Sequence, residues 1–171
     1  RLGYALATTE NDVTLPDLAR LTDVFYIGGT KVGAMFGEAI VITNDTIKPQ
    51  FRYSIKQNEG MLAKGRFLGL QFDTLFTDHL YTTIAKHAIA LAKKMHDEMT
   101  SYGISFFSSS PTNQIFPIFT KEQVEALEKN YVFERWATLE DGRIAIRFCT
   151  SWATEESDVA TLLADIKALV K

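Results

Sequence analysis

The chain has 171 residues, of which 46% are hydrophobic and 23% are charged, and its formal net charge is −3. This balance is typical of a globular protein with one ordinary domain or two small ones. The net charge offers no basic field, so we expect no nucleic-acid partner. No apolar stretch reaches the roughly 18 residues of a membrane span, so we expect no membrane partner. A single cysteine suits a reducing compartment, and we therefore expect a cytoplasmic protein.

The start of the sequence predicts short helices. Residues 1–7 are too few for a prediction. Thr14 is a plausible N-cap and a proline follows at position 16, so Leu15–Leu21 is predicted to be a helix. Residues 47–54 contain another proline and are predicted to be helical after it.

The stretch at 23–38, DVFYIGGTKVGAMFGE, places a lysine between two apolar runs, Val24–Ile27 and Ala39–Ile42. Both runs are typical of strands that are covered on both faces. Lys31 lies between them among four glycines, which allow the backbone to bend sharply and a bulky group to approach. We expect its amine to be bonded to another group or easily deprotonated, and both suit an amine that forms Schiff bases.

Two other interpretations of this lysine stay open. A lysine on a glycine-rich turn can simply be solvated. A phosphate-binding P-loop is the second alternative, but it requires Gly-Lys-Ser/Thr after a four-residue spacer. Here Thr30 comes directly before Lys31, so the residue order is wrong for that motif.

The middle of the sequence predicts a hinge near residues 56–66, KQNEGMLAKGR. This junction is polar and contains three basic residues, Lys56, Lys64 and Arg66. They are candidates for binding an anion such as a phosphate, and the alternative is a solvated hinge.

A long helix is predicted next. From Leu80 to Tyr102 apolar residues recur at three- and four-residue steps, and Gly103 stands where a C-cap belongs. At about 24 residues this helix would span roughly 36 Å, which is long enough to join two domains.

The rest of the sequence predicts a small α+β domain with a few antiparallel strands and helices on one face. Pro117 makes one of its strands an edge strand or a bulge, and Thr120 with Gln123 forms a capping box. Strands are expected at 104–107, 114–119, 132–136 and 143–149, and helices at 121–129 and 155–170.

Arg147 lies in the strand predicted at 143–149, where residues alternate between two faces. Ala145 and Cys149, both small, flank Arg147 on its own face, which leaves space for a ligand. A guanidinium there would bind a carboxylate through two parallel hydrogen bonds. The alternative is an arginine on the solvent face of a half-exposed sheet.

The histidines and the cysteine give no metal or nucleophile pattern. His79, His87 and His96 are spaced by eight and nine residues, unlike the i, i+4 pair of a zinc site, so no metal is expected. His87 falls on the apolar stripe of the long helix and is expected to be packed and hydrogen-bonded. Cys149 is expected to be a buried structural thiol.

Several of these segments resemble the threonine aldolase and β-eliminating lyase family of fold-type I pyridoxal-phosphate enzymes. The segment DVFYIGGTKVGAMFGEAIVI is similar to the family's cofactor-lysine segment, in which a small or hydroxyl residue precedes the Schiff-base lysine and glycines follow it. Residues 1–5 resemble the continuation of the family motif Asp-Gly-Ala-Arg from its arginine onward. Residues 111–113 and 147–152 resemble its Thr-Asn and Arg-Leu-Val-Thr-His segments, with Ser151 in place of the frequent histidine.

The resemblance implies a role for each matching residue. Lys31 would carry pyridoxal 5'-phosphate as a Schiff base, with Thr30 beside it. Arg1 would lie beside the cofactor and the substrate, and Arg147 would bind the substrate carboxylate. The junction at 60–66 is loosely similar to the family's Gly-Met-Arg-Gln segment, which implies that Lys64 and Arg66 bind the cofactor phosphate.

The implied fold class is α/β and corresponds to the C-terminal part of such an enzyme. Residues 1–60 would be the end of the large, mixed or parallel-sheet domain that binds the cofactor. Residues 61–103 would form a hinge and a long interdomain helix, and residues 104–171 a small α+β domain. The cofactor-stacking histidine, the aspartate that pairs with the pyridine nitrogen and most of the phosphate loop would precede Arg1.

The first residue is an arginine, so we expect this sequence to be part of a longer chain. The missing N-terminal half would be a partner in the site, and the 171 residues alone would have little or no activity. Family members complete their sites across a dimer interface, which implies a homodimer or homotetramer.

The resemblance implies a lyase that cleaves the Cα–Cβ bond of threonine or allo-threonine to give glycine and acetaldehyde. The same lysine and arginine would serve β-elimination, aminotransfer or glycine hydroxymethyl transfer, so these reactions stay open. Outside this chemistry the alternative is a non-catalytic α/β oligomerisation module, which has no need for a glycine-wrapped lysine between two strands.

Overall fold

A computed structural model describes residues 1–170, and its packing divides the chain into two compact units that meet between Ala85 and Lys86. The division of the chain at residues 60 and 103 stays a prediction. Within the described range, no helix combines the length and the apolar character needed to cross a bilayer.

The first unit is mainly helical around one pair of strands. In chain order its elements are α1 (Leu2–Ala7), α2 (Leu15–Leu21), β1 (Val24–Gly28), β2 (Glu38–Ile42), α3 (Phe51–Gln57), α4 (Arg66–Phe76), a 3₁₀ turn (Thr77–His79) and the start of α5 (Leu80–Ser101). The helix predicted at 15–21 is confirmed. Thr14 and Asp17 cap it reciprocally, and the hydrogen bond from Thr14 lowers the pKa of the Asp17 carboxyl.

The strands β1 and β2 pair antiparallel, with Tyr26 opposite Ile40. Ile27 is only 5% exposed, and α1 and α2 contact β1. On the other face Val24, Tyr26 and Ile40 are 43%, 67% and 58% exposed. The prediction of strands covered on both faces is therefore wrong within residues 1–170. The prediction that both apolar runs form strands is confirmed, but the elements of the first unit cover only one face of the β1–β2 pair.

The 3₁₀ turn before α5 holds two consecutive non-glycine residues, Asp78 and His79, at positive φ angles of 50° and 60°. We expect His79→Gly to raise the free energy of unfolding by about 1 kcal/mol, because only glycine adopts this conformation without a Cβ penalty. Chemical denaturation measures the change. Lys86→Gly is the matched control, since glycine at an exposed helical position should destabilise by about 1 kcal/mol. Equal destabilisation by both substitutions would contradict a strained turn.

The second unit packs an antiparallel sheet against helices. Its elements are the rest of α5, β3 (Gln114–Ile115), β4 (Ile118–Phe119), α6 (Lys121–Leu127), β5 (Glu134–Thr138), β6 (Ile144–Cys149) and α7 (Glu156–Leu169). The strand β6 pairs antiparallel with β3, β4 and β5. The buried core joins α5, the sheet, α6 and α7 through residues such as Met99, Phe119, Val124, Ile146 and Ile166.

Most predicted elements of this unit are confirmed within a few residues. The helix α5 has 22 residues, and Gly103 follows it at a φ of +86°. The strand expected at 114–119 is broken at Pro117, whose carbonyl still accepts a hydrogen bond from the Ile146 N–H at 3.0 Å. The strand expected at 104–107 is wrong, because only Phe106 forms a bridge, to Pro117. This segment is short, and the chain continues directly into a loop that contains three serines at 108–110.

Candidate active-site segments

Lys31 lies in the loop that joins β1 to β2. The N–H groups of Val32 and Ala34 donate to the carbonyl of Gly29 at 2.9 and 3.0 Å, and the Gly29 N–H donates to the carbonyl of Gly37 at 3.3 Å. Val32 is completely buried, whereas its neighbour Lys31 is exposed. The loop is therefore anchored through its backbone and through Val32, which leaves the amine of Lys31 accessible to a ligand.

Two buried tyrosines hold the backbone around this lysine. The Tyr4 hydroxyl donates to the carbonyl of Lys31 itself. The Tyr81 hydroxyl donates to the carbonyl of Gly28 at 2.9 Å and accepts from the N–H of Gly3 at 3.1 Å. Both side chains are only 2% exposed, and burial raises the pKa of the Tyr81 phenol. The phenol thus stays protonated and keeps its donor bond to the end of β1.

Arg1 lies at the same end of β1 as Lys31. A Cβ atom placed on Gly28 would be 3.8 Å from the backbone nitrogen of Arg1. Lys31 is also close enough for its positive charge to act on this nitrogen. The structure therefore brings Arg1 and Lys31 together, while their roles toward a cofactor stay predictions.

The helix α4 supports the lysine loop from another side. The Gln71 Oε1 atom accepts from the Met35 N–H at 2.7 Å, and the Phe72 ring packs on the loop at Gly29. Lys64 and Arg66 are exposed at the start of this helix, and Thr30 is exposed beside Lys31. The phosphate-binding role of the two basic residues stays a prediction.

Gly29 and Gly28 give a matched pair for testing this loop. A Cβ atom on Gly29 would lie 2.7 Å from the Ala34 Cβ and 3.0 Å from the Phe72 ring, whereas at Gly28 the closest atoms are 3.7 and 3.8 Å away. We expect Gly29→Ala to destabilise the protein by about 1–3 kcal/mol through overpacking. Gly28→Ala should change stability by less than about 0.5 kcal/mol. Thermal unfolding compares them, and equal effects would show that the loop accommodates the methyl group.

In the second unit, Arg147 lies on β6 between Ala145 and Cys149. The opposite face is buried as predicted, since Ile144, Ile146 and Phe148 are 6%, 0% and 8% exposed. On the face of Arg147, however, Ala145 is completely buried as well, so burial alternates only from Ile146 to Cys149. The Arg147 Nη2 atom donates to the carboxylate of Glu134, and its guanidinium carbon lies 5.3 Å from the centre of the Trp136 ring.

Two predictions about side chains near Arg147 are corrected. Cys149 is exposed and accepts a hydrogen bond from the Gln114 amide at 3.2 Å, so the prediction of a buried thiol is wrong. It shares a face of β6 with the partly buried Arg147 and with Ala145, which is completely buried. His87 is exposed as well, although its Nε2 atom lies 2.9 Å from the carbonyl of Thr154, so only its hydrogen bond is confirmed. Within residues 1–170, no group of three potential ligand side chains forms a metal site.

Buried polar residues tie the end of β6 to its surroundings. The Asn113 amide donates to the carbonyl of Thr150 at 2.6 Å, and the Thr150 hydroxyl donates to the carbonyl of Ala88 at 2.6 Å. Asn113 and Thr150 are 5% and 4% exposed. Asn113 and Thr150 thus hold the end of β6, the strand that carries Arg147. This gives the Thr-Asn segment and Thr150 a structural role.

Comparison with known proteins shows relatives along most of the chain. A low-specificity L-threonine aldolase of Pseudomonas sp. (strain NCIMB 10558) is 32% identical over 149 residues, which are 86% of this chain and 42% of the relative. The low-specificity L-threonine aldolase of Pseudomonas aeruginosa is 29% identical over 150 residues, with the same coverage. The chain thus spans less than half the length of these curated relatives. No family model matches it.

Solved structures show the same relation. The threonine aldolase of Leishmania major superposes on the whole chain with a TM-score of 0.94 and 42% identity, and the match covers 50% of that protein. A serine palmitoyltransferase of Sphingomonas wittichii superposes on 97% of the chain with a TM-score of 0.63, covering 44% of that protein. At 12% identity this second likeness shows the fold alone. The α/β fold class expected from the sequence is confirmed.

Proposed function

We propose that the chain belongs to the threonine aldolase family of fold-type I pyridoxal-phosphate enzymes and forms part of a lyase acting on β-hydroxy amino acids, since it resembles about half the length of such enzymes. Threonine or allo-threonine is cleaved between Cα and Cβ to give glycine and acetaldehyde. The observation that carries this proposal is the setting of Lys31, an exposed amine on a loop whose backbone two buried tyrosines hold.

The residues of this loop fit pyridoxal phosphate. The Lys31 amine is the nucleophile that an aldehyde requires, and glycines on both sides leave room for an aromatic ring to approach. Pyridoxal phosphate supplies an electron sink for the electron pair that remains when the Cα–Cβ bond breaks. Thr30, Arg1, Lys64 and Arg66 are further candidates for holding the cofactor.

Arg147 binds the carboxylate of the substrate in this proposal, and Arg1 is a second candidate for contacting the substrate. A planar guanidinium fixes a carboxylate through two bonds, so it also fixes the orientation of the bonds at Cα. That orientation decides which bond breaks. Cleavage also requires a base that takes the proton of the β-hydroxyl group.

Product analysis tests the proposal against its alternatives. We expect the protein with bound pyridoxal phosphate to convert L-threonine or L-allo-threonine to equal amounts of glycine and acetaldehyde. Pyruvate or another keto acid with ammonia would indicate elimination, and a keto acid with a transferred amino group would indicate an aminotransferase. Formaldehyde transfer from serine would indicate hydroxymethyl transfer. A protein that stays colourless with the cofactor and produces none of these would be a non-catalytic oligomerisation module.

The protein is cytoplasmic and forms a homodimer or homotetramer in this proposal, with an N-terminal half completing each site. The 171 residues alone should show little or no threonine cleavage. Light scattering measures the oligomeric state, and an assay of this chain beside the longer protein measures the difference in activity. Turnover by the 171 residues alone would show that they contain a complete site.

A further inference from the structure

We infer that Glu134 is an internal carboxylate that occupies Arg147 until the carboxylate of the substrate displaces it. Glu134 thereby lowers the affinity of the site for amino acids. This inference rests on the proposed function, in which Arg147 binds the substrate carboxylate.

The position of Glu134 follows from the pairing of β5 with β6. Glu134 lies directly opposite Arg147, and the Nη2 atom of Arg147 donates to its Oε2 atom. The register then shifts at Trp136, between Arg135 and Ala137. The guanidinium carbon of Arg147 lies 5.3 Å from the centre of the Trp136 ring. One strand thus presents to the arginine both an acceptor and an aromatic surface.

Glu134 leaves part of the hydrogen-bonding capacity of Arg147 unused. A guanidinium has five N–H donors, and the Nε atom of Arg147 is buried without a partner among residues 1–170. Leaving a buried donor of a charged group unpaired costs free energy, so Arg147 would be stabilised by a further acceptor. A carboxylate bound to two guanidinium nitrogens would use more of these donors than Glu134 does.

Glu134 can leave more easily than Arg147 can move. The Glu134 side chain is 53% exposed, so its carboxylate can turn into water, whereas the Arg147 side chain is 28% exposed and packs against Trp136. Exposed ion pairs contribute little to stability, because water solvates both charges well. The substrate carboxylate therefore displaces Glu134 at a small free-energy cost. Repulsion between the two carboxylates adds to that cost while Glu134 is near Arg147.

Glu134→Gln in the holoenzyme tests this inference. We expect the KM for L-threonine to fall about threefold to fivefold, with a much smaller change in kcat. The inhibition constant of acetate, a simple carboxylate probe, should fall by a similar factor. Glu128→Gln is the matched control, since Glu128, at the end of α6, forms a comparable ion pair at 2.7 Å with Arg135, the neighbour of Glu134 on β5. It should leave both constants unchanged.

Arg147→Gln separates this inference from the proposed function. If Arg147 binds the substrate carboxylate, Arg147→Gln raises the KM strongly, and adding Glu134→Gln then changes nothing further. An unchanged or higher KM for Glu134→Gln alone, with Arg147→Gln still harmful, would overturn the inference and make Glu134 a positioning residue. An Arg147→Gln variant with normal KM would overturn the carboxylate assignment and the inference with it. Calorimetric titration with glycine repeats the comparison without turnover.

Discussion

Replacement of Lys31 by alanine should lower kcat for threonine cleavage by about 10³-fold or more, because alanine has no amine to bind the cofactor aldehyde. Steady-state assays with L-threonine measure the loss. Borohydride reduction followed by peptide mass analysis provides a second readout. The cofactor should be found on the peptide that contains Lys31 in the unchanged protein and should be missing from that peptide in the variant.

The fold around the loop should survive this substitution. The Lys31 side chain is exposed, and the hydrogen bond from Tyr4 goes to the backbone carbonyl of residue 31, which alanine keeps. Loss of activity with an unchanged unfolding transition would therefore report chemistry rather than misfolding. Lys48→Ala is the control, since Lys48 is an exposed lysine of the same unit paired with Asp45 at 2.7 Å. A Lys31→Ala variant that still holds the cofactor through a lysine would refute the assignment.

Local patterns in the sequence predicted most of the secondary structure, because each has a short-range cause. Thr14 and Thr120 cap their helices through residues three positions later, and Gly103 supplies the positive φ that ends α5. The alternation around Arg147 likewise requires only a strand of period two. These signals need no knowledge of what the chain folds against.

The contacts that hold Lys31 and Arg147 in place could not be predicted from such local signals. Tyr81 bonds to Gly3 and Gly28, which lie 78 and 53 residues away in sequence. Nothing in the local pattern marks Tyr81 as a support of the lysine loop. Only the fold shows that its hydroxyl joins α1 to the end of β1, next to the lysine loop.

The neighbours of Arg147 required the strand register. Glu134 was part of a predicted strand, but which residue it faces depends on the pairing with β6 and on the bulge at Trp136. Cys149 was expected inside because free cysteines are usually buried. The alternation places Cys149 on the face opposite Ile146 and Phe148, and at the end of β6 this local signal outweighs the general preference.

Replacement of Arg147 by lysine should lower kcat/KM for L-threonine by about 100-fold, mainly through KM. A lysine keeps the charge but presents a single ammonium group, which cannot form two parallel bonds to a carboxylate or stack flat on Trp136. L-Threonine amide, which has no carboxylate, should lose much less. Comparing the two compounds therefore isolates the carboxylate contact.

Arg143→Lys is the matched control for this substitution. Arg143 precedes β6, has an exposed side chain and bonds to Asp141 at 2.8 Å, so its replacement removes a similar guanidinium–carboxylate pair. It should leave kcat/KM unchanged. Equal losses for threonine and its amide in Arg147→Lys would instead indicate that Arg147 maintains the sheet. That result would leave the substrate carboxylate to another residue and would limit the role of β6 to supporting the second unit.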